Sequence, residues 1–287
     1  MPALSLLSNQ HILSSSSFSP QILNLILNTA LSMERAFLHK EIPPLLQGFI
    51  LATLFFEPST RTRLSFESAM MRLGGQVVSV SDHLSTSLCK GESLSDTAKI
   101  VSQYADLLIV RHPKAFSVHE MSKSSDVPVI NAGDGTNEHP TQALLDLYTI
   151  FSQGQLKPGM TIGFLGDLYH GRTVHSLVAL LKHYDMRMVF IADPDIAMPK
   201  ELIASLNPAQ VIQTEEMAAV LPELDVLYVT RIQEERFENK TLYAKLVSSY
   251  QVTMELLHQS KESLSIMHPL PRVMELDPLI DQSKKAL

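Results

Sequence analysis

The segment from Phe55 to Arg63 combines three hydroxyl side chains with two arginines. It follows an apolar run and precedes residues with helical spacing, which puts Arg61 and Arg63 in the first turn of a predicted helix. Because the amino end of a helix is positive, a cation there is disfavoured by a few tenths to about 1 kcal/mol. The segment therefore predicts that a negatively charged group binds at this turn.

A phosphate group fits this chemistry. It would accept hydrogen bonds from the amides of the first turn, from hydroxyl groups and from a guanidinium fork at the same time. The predicted phosphate ligands are Ser59, Thr60, Arg61 and Thr62. The alternative is that Ser59 or Thr60 only caps the helix and that the arginines are solvated.

Two more polar side chains follow predicted strands in the first half of the chain. Arg111 comes directly after the apolar run 107–110, just past the carboxyl end of a strand, where open α/β sheets bind their ligands. His139 precedes Pro140 at a predicted helix start, where the dipole favours a neutral imidazole that can donate a hydrogen bond to a carbonyl. Gln142 lies one turn into that helix. An ordinary surface arginine and a structural loop histidine are the alternatives.

The second half repeats this pattern. Arg172 follows a glycine at another predicted helix start, and Arg231 and Gln233 follow the apolar run 226–229. Arginines gathered in a cleft of an acidic protein indicate that it holds small anions, although surface salt bridges are the alternative for each residue. The spacing G-x-G-x-x-G is absent, so a nicotinamide site is rejected. The exit of the last predicted strand, around Leu270, has two prolines and forms either a turn that aims backbone carbonyls or a rigid loop without chemistry.

Short apolar runs alternate with segments of helical spacing, which is typical of parallel sheets with crossover helices. The predicted strands are 50–56, 77–80, 107–110, 127–130, 161–165, 188–192, 211–213, 226–229 and 263–267. The pattern predicts an α/β fold of two domains, each an open, mainly parallel sheet flanked by helices. A stretch rich in glycine, glutamine and proline at 151–159 separates the two halves, and we assign the domains to residues 1–142 and 143–287.

Composition excludes several classes of protein. The 287 residues carry a formal net charge of −7 without a basic block, which argues against nucleic-acid binding. The longest nearly apolar run, 48–56, is too short to cross a bilayer, and no basic residue precedes Arg35 to open a secretory signal, so we expect a cytoplasmic protein. The single cysteine, Cys89, excludes an internal disulfide and argues against a cysteine-built metal site.

Five motifs occur in a fixed order: STRTR (59–63), RHP (111–113), HPTQ (139–142), GRTVHS (171–176) and HPLPR (268–272). Together they closely resemble the catalytic chains of the aspartate carbamoyltransferase family, and the resemblance covers nearly the whole chain. It implies a carbamoyl-phosphate-binding first domain and an aspartate-binding second domain. The family has a terminal helix that would follow Leu287, where this sequence ends.

The resemblance also implies roles for individual residues. The residues that would bind phosphate are Ser59, Thr60, Arg61, Thr62 and Arg111, and those that would polarise the carbamoyl oxygen are Thr62, Arg111 and His139. The carbamoyl amide would be held by Gln142 and by the backbone of Pro269, Leu270 and Pro271. Aspartate would be bound by Lys90, Arg172, Arg231 and Gln233. The implied reaction is attack of the α-amine of L-aspartate on carbamoyl phosphate, which yields N-carbamoyl-L-aspartate and phosphate in de novo pyrimidine biosynthesis. No metal, cofactor or covalent nucleophile is required.

The loop 82–92 contains Ser85, Thr86, Ser87 and Lys90. In the resembling enzymes a serine and a lysine of this loop reach the active site of a neighbouring subunit, which implies a homotrimer with shared active sites and a possible regulatory chain. A familiar bacterial form has a Lys-Lys pair in a loop one residue longer, where this chain has Cys89 and Lys90, so Lys90 aligns and Ser87 is left open.

Two other functions stay open. An ornithine-type carbamoyltransferase would be expected to have a cysteine in the segment 268–271 and an acidic group for the cationic amine of ornithine. A noncatalytic paralogue would keep the fold and bind anions or partner chains.

Overall fold

The runs predicted as strands all form strands in the computed structural model, which describes residues 6–81, 87–234, 237 and 239–287. The chain divides into two units, Met1–Leu144 and Leu145–Leu287, each with one parallel sheet. The predicted α/β fold is confirmed. Within the described ranges, no helix is long and apolar enough to cross a membrane.

The first unit contains a four-stranded sheet. Its strands are β1 (Ile50–Phe55), β2 (Gln76–Val80), β3 (Leu107–His112) and β4 (Val129–Asp134), and its helices are α1 (Pro20–Leu38), α2 (Thr60–Arg72), α3 (Leu94–Val101) and α4 (Ser117–Ser122). The strand order is β2-β1-β3-β4, and because the strands are parallel their carboxyl ends share one edge. Helix α5 (Pro140–Ser152) follows β4, and the division between the units falls within it.

The second unit contains a five-stranded sheet. Its strands are β5 (Met160–Leu165), β6 (Met186–Ile191), β7 (Val211–Thr214), β8 (Val226–Val229) and β9 (Ser265–Met267). They lie in the order β7-β6-β5-β8-β9. The helices are α6 (Arg172–Leu181), α7 (Lys200–Ala204), α8 (Met217–Val220), α9 (Lys240–Ser249) and α10 (Met254–Leu257).

Two strands of the first sheet continue further than predicted. Arg111 was expected just past the end of its strand, but it belongs to β3, because the Phe56 amide donates to the Arg111 carbonyl at 2.9 Å and prolongs the pairing beyond β1. Strand β4 likewise continues to Asp134, beyond the predicted strand 127–130. The pairing of β3 with β4 shifts register between Val110 and His112, so the strand ends are irregular where the candidate residues lie.

Both faces of the first sheet are covered by helices. Successive side chains of a strand point to opposite faces, so Leu54 and Val110 pack with α3 and α4, whereas Phe55 and Ile109 pack with α2. All four side chains are buried. This two-sided burial explains why the strands are nearly continuous apolar runs in the sequence.

A buried hydrogen bond joins β8 to α5 in the second unit. The hydroxyl of Tyr228, which is 0% exposed, donates to Asp146 Oδ2 at 2.7 Å. Burial, together with the neighbouring Asp146 carboxylate, raises the pKa of Tyr228 well above its ordinary value. The phenol therefore stays protonated and remains a hydrogen-bond donor. The bond satisfies a carboxylate that is itself buried.

Replacing Tyr228 by phenylalanine is expected to lower the free energy of unfolding by about 1–3 kcal/mol, because the variant leaves Asp146 buried without this donor. Tyr184→Phe is the matched control, since its buried hydroxyl has no hydrogen-bond partner among the described residues. The control is expected to change stability by less than about 0.5 kcal/mol. Urea unfolding followed by circular dichroism measures both variants, and equal losses would contradict the assigned role of the Tyr228 bond.

Candidate functional site

The amino end of α2 is the first part of the site. Ser59 is its N-cap residue, with extended φ −159° and ψ 103°, but its side chain makes no capping hydrogen bond. The described helix also has no acidic residue in its first turn. Arg61 is exposed and Thr62 is half-buried. The simple capping alternative is therefore not realised by Ser59, and the turn keeps its positive character.

Helix α2 is fixed to the sheet by Glu67. Its Oε1 accepts hydrogen bonds from Thr53 Oγ1 of β1 at 2.9 Å and from Ser79 Oγ of β2 at 2.8 Å. The same oxygen lies 3.8 Å from Arg63 Nε. Arg63 is thus directed to an internal carboxylate, which separates its role from that of the exposed Arg61.

Arg111 lies beside the segment that leads into α2. Its residue pairs with Phe55 in the register of β1 and β3, and its side chain is only 12% exposed. The guanidinium Nε lies 3.3 Å from Glu57 Oε2, and Nη1 donates to the Ala132 carbonyl at 3.5 Å. The largely buried guanidinium of Arg111 therefore places a positive charge next to the β1–α2 connection.

The loop between β4 and α5 is organised by Asp134, which is completely buried. Its carboxylate accepts from Asn131 Nδ2 at 2.9 Å, Phe116 N at 2.9 Å, Asn137 Nδ2 at 3.0 Å and Glu138 N at 3.1 Å. Donors from both sides of the loop stabilise the buried charge. Asp134 was not predicted from the sequence, where its only signal is an aspartate between two glycines after a strand.

His139 lies at the start of α5, whose first residue is Pro140 as predicted. The imidazole is 5% exposed. Its Nδ1 lies 3.4 Å from the Gln142 amide, which donates to it, and 3.4 Å from Thr141 Oγ1. Because Nδ1 accepts, the proton of a neutral ring is on Nε2, which is then the donor of the ring. This geometry fits the predicted electrophilic role.

Glu138 connects this loop to the beginning of the described chain. Its carboxylate accepts from Ser14 Oγ at 2.5 Å and from the Ser15 amide at 2.7 Å. The preceding segment pairs with β4, since Ile12 N donates to the Val129 carbonyl at 2.8 Å. Glu138 was not predicted from the sequence either, because the serine run that binds it is distant in sequence and resembles a low-complexity tract.

The predicted carbamoyl phosphate residues of the first unit lie at one sheet edge. Ser59, Thr60, Arg61 and Thr62 follow β1, Arg111 is the penultimate residue of β3, and His139 and Gln142 follow β4; these three strands are neighbours. Lys90 comes after β2 in the chain, at the end of the short 3₁₀ helix Ser87–Lys90, and is exposed. The predicted Ser85 and Thr86 lie outside the described residues.

In the second unit, the residues predicted to bind aspartate follow neighbouring strands. Arg172 is the first residue of α6, after β5, and Arg231 follows β8; both are half-buried. Gln233 Nε2 donates to the His170 carbonyl at 3.4 Å, which joins the segment after β8 to the turn before Arg172. The two strand ends also meet through Thr230, whose amide donates to the Leu165 carbonyl at 2.8 Å.

The segment after β9 forms a tight loop. The Leu270 amide donates to His268 Nδ1 at 2.9 Å, Leu270 has a φ of 54°, and the Leu270–Pro271 bond is cis. Arg272 forms a bidentate pair with Asp281, with both distances 2.5 Å. Because β9 neighbours β8, this loop lies at the same sheet edge as the segment of Arg231. Groups of three or more potential metal ligands are absent from the part of the chain that the structure describes.

The geometry of the β4–α5 loop depends on Gly135, which has a φ of +56°. A Cβ there would lie 2.6 Å from the Pro113 carbonyl oxygen and 2.7 Å from the Ala115 amide nitrogen. Gly154 has a similar φ of +69°, but a Cβ there would meet none of the described atoms within 4 Å.

We predict that Gly154→Ala costs about 1–2 kcal/mol, because only the left-handed backbone is penalised. Gly135→Ala is predicted to cost about 1–3 kcal/mol more, because the methyl also forces backbone apart. The free energy of unfolding in urea measures both variants. Equal destabilisation would show that the Gly135 contacts do not constrain the loop.

Comparison with known proteins gives consistent results. The family model of the aspartate/ornithine carbamoyltransferase carbamoyl-P binding domain matches residues 10–152, and that of the Asp/Orn binding domain matches residues 158–287. An aspartate carbamoyltransferase catalytic subunit from Thermococcus kodakarensis is 49% identical over 278 residues, which are 96% of this chain and 90% of that protein.

Two solved structures have the same fold. Aspartate transcarbamoylase from Trypanosoma cruzi in complex with carbamoyl phosphate has a TM-score of 0.93 and 36% identity, with 99% of this chain and 92% of that chain covered. The catalytic subunit of M. jannaschii aspartate transcarbamoylase has a TM-score of 0.89 and 44% identity, with 96% and 91% covered. These findings confirm the resemblance read from the motifs, and the chain belongs to the aspartate/ornithine carbamoyltransferase family.

Proposed function

We propose that this chain is the catalytic chain of an aspartate carbamoyltransferase. It transfers the carbamoyl group of carbamoyl phosphate to the α-amine of L-aspartate and releases phosphate, a step of de novo pyrimidine biosynthesis. The observation that carries the proposal is the convergence of the uncapped start of α2, Arg111 and His139 at the ends of three neighbouring strands. The Trypanosoma cruzi relative, crystallised with carbamoyl phosphate, supports the choice of substrate.

In this proposal the first domain, 1–142, binds the phosphate. The amides of the first turn of α2 and the hydroxyls of Ser59, Thr60 and Thr62 donate to its oxygens. Arg61 and Arg111 supply the positive charge, and a guanidinium can bind two phosphate oxygens at once. Such binding also favours departure of phosphate, because the same groups stabilise the charge that the leaving group gains.

His139 stabilises the transition state. As the amine nitrogen attacks, the new N–C bond forms and the carbonyl electrons move to oxygen, which becomes an oxyanion. The Nε2–H of His139, with Thr62 and Arg111, donates to that oxygen. The oxyanion electrons then re-form the C=O bond as the C–O bond to phosphate breaks, its electron pair leaves with phosphate, and the phosphate accepts the extra proton of the amine. Gln142 and the backbone of Pro269, Leu270 and Pro271 hold the carbamoyl amide.

The second domain, 143–287, binds aspartate. The two carboxylates of aspartate require cations. Arg172 and Arg231 of this domain supply them with Gln233 as a polar partner, and Lys90 of the loop 82–92 adds a third cation. Arg172 after β5 and Arg231 after β8 are cations, which argues against ornithine, because its side chain is itself a cation and would need an acidic group. The segment 268–271 also has no cysteine.

The proposal includes a homotrimer with shared active sites, in which Lys90 reaches the site of the neighbouring subunit. A regulatory chain is a further possible partner, consistent with the name catalytic subunit of the relatives. We place the enzyme in the cytoplasm, in keeping with a single cysteine.

Phosphate release from carbamoyl phosphate tests the function directly. We expect rapid release and formation of N-carbamoyl-aspartate when aspartate is added, and only background release with ornithine or without an acceptor. Release that depends on ornithine would identify the other activity of the family. A folded protein that releases phosphate with neither amino acid would support the noncatalytic alternative.

His139→Ala is predicted to lower kcat roughly a hundredfold or more, the effect of losing one well-placed oxyanion donor. His39→Ala is the control, because His39 is an exposed residue at the end of α1. Steady-state kinetics with aspartate measure both variants. A His139→Ala enzyme that turns over like the parent would refute the catalytic role of His139.

A further inference from the structure

The turn 269–271 after β9 has only one main-chain N–H group. Pro269 and Pro271 have no N–H group, and the one N–H of the turn, that of Leu270, donates to His268 Nδ1 at 2.9 Å. The Leu270 residue is 47% exposed. The turn therefore offers carbonyl oxygens to a ligand but no main-chain donor.

His268 is held in the state that this bond requires. Its Nδ1 accepts from Leu270, so the proton is on Nε2, which donates to Glu275 Oε1 at 2.8 Å. The two side chains are 4% and 7% exposed. Rotation of the ring would leave buried polar atoms without partners, which costs about 1–3 kcal/mol for each group.

Glu275 is in turn held by further hydrogen bonds. Its carboxylate also accepts from the Val273 amide at 3.1 Å and from the Met274 amide at 3.0 Å. Burial acts to raise the pKa of Glu275, but the donors from His268 and the backbone outweigh it, and the pKa is lowered. The Glu275 carbonyl accepts from the Val252 amide at 2.9 Å, which anchors the residue outside the loop.

We infer that His268 and Glu275 are positioning residues that determine selectivity for the carbamoyl group. By occupying the Leu270 N–H, they leave a turn of acceptors only, which binds the NH₂ of a carbamoyl group and rejects the methyl of an acetyl group of the same shape. A site built to bond a substrate N–H disfavours the analogue without it, because its own polar groups are then unpaired. The inference rests on the proposed function, in which this turn holds the carbamoyl amide.

Hydrogen exchange of the parent enzyme tests the first step. Leu270 has the only exchangeable main-chain amide in the turn 269–271, so mass spectrometry of overlapping peptides isolates it. We expect exchange at least about tenfold slower than in an unstructured peptide, as for an amide bonded within the fold. Exchange at the unstructured rate would overturn the inference without any substitution.

Two variants of His268 test the selectivity. His268→Asn keeps an acceptor near the position of Nδ1, whereas His268→Gln keeps a donor near that of Nε2 and loses the Nδ1 acceptor. The readouts are kcat/KM for carbamoyl phosphate and the inhibition constant of acetyl phosphate. We expect His268→Gln to lower the selectivity ratio at least about tenfold, and His268→Asn to lower it less than about threefold, in line with one lost hydrogen bond.

The outcomes separate this inference from the proposed function. A parent enzyme that forms no N-carbamoyl-aspartate refutes the proposed function and the inference with it. An active parent whose Gln variant weakens both phosphates equally refutes the inference alone, because general damage to the loop does not change the ratio. If His268→Gln fails to fold, the exchange rate of Leu270 in the parent decides.

Discussion

The positive end of α2 is the constraint on which the rest of the site depends. A helix start already attracts anions, and the sequence adds Arg61 and Arg63 to it without an acidic residue in the first turn. Glu67 lies beside Arg63 and leaves Arg61 exposed. An oxyanion with two negative charges would relieve this unfavourable concentration of charge. The same positive charge stabilises a phosphate leaving group, so the site is suited to transfer of a group from a phosphate.

Buried carboxylates support the site in another way. Asp134 and Glu275 are both buried, and both accept main-chain N–H groups of the loops that carry proposed binding groups. They act as scaffolds, whereas the arginines lie at or just after the ends of the strands. The chain can therefore have a net charge of −7 and still present cations to anionic substrates. Charge balance of the whole molecule and charge at the site are thus separate properties.

Much of this arrangement could be predicted from the sequence, for identifiable reasons. Strands buried on both faces are continuous apolar runs, and Pro140 marks the start of α5 because proline suits the first helical position. The position of Arg111 was predicted less well, because the extra pairing of Phe56 depends on a neighbouring strand. The contact of Glu138 with Ser14 joins residues that are 124 positions apart, and no local pattern indicates it. Such contacts arise only when the chain is folded.

Calorimetric titration of the purified enzyme with carbamoyl phosphate tests the central claim most directly. The account predicts one site per chain and a Kd that rises at least about tenfold in Arg61→Ala, which removes a charge-assisted hydrogen bond. Arg72→Ala is the matched control, because Arg72 ends the same helix and lies over the Phe37 ring. Equal affinity in the parent and both variants, or no binding by the folded parent, would contradict the account.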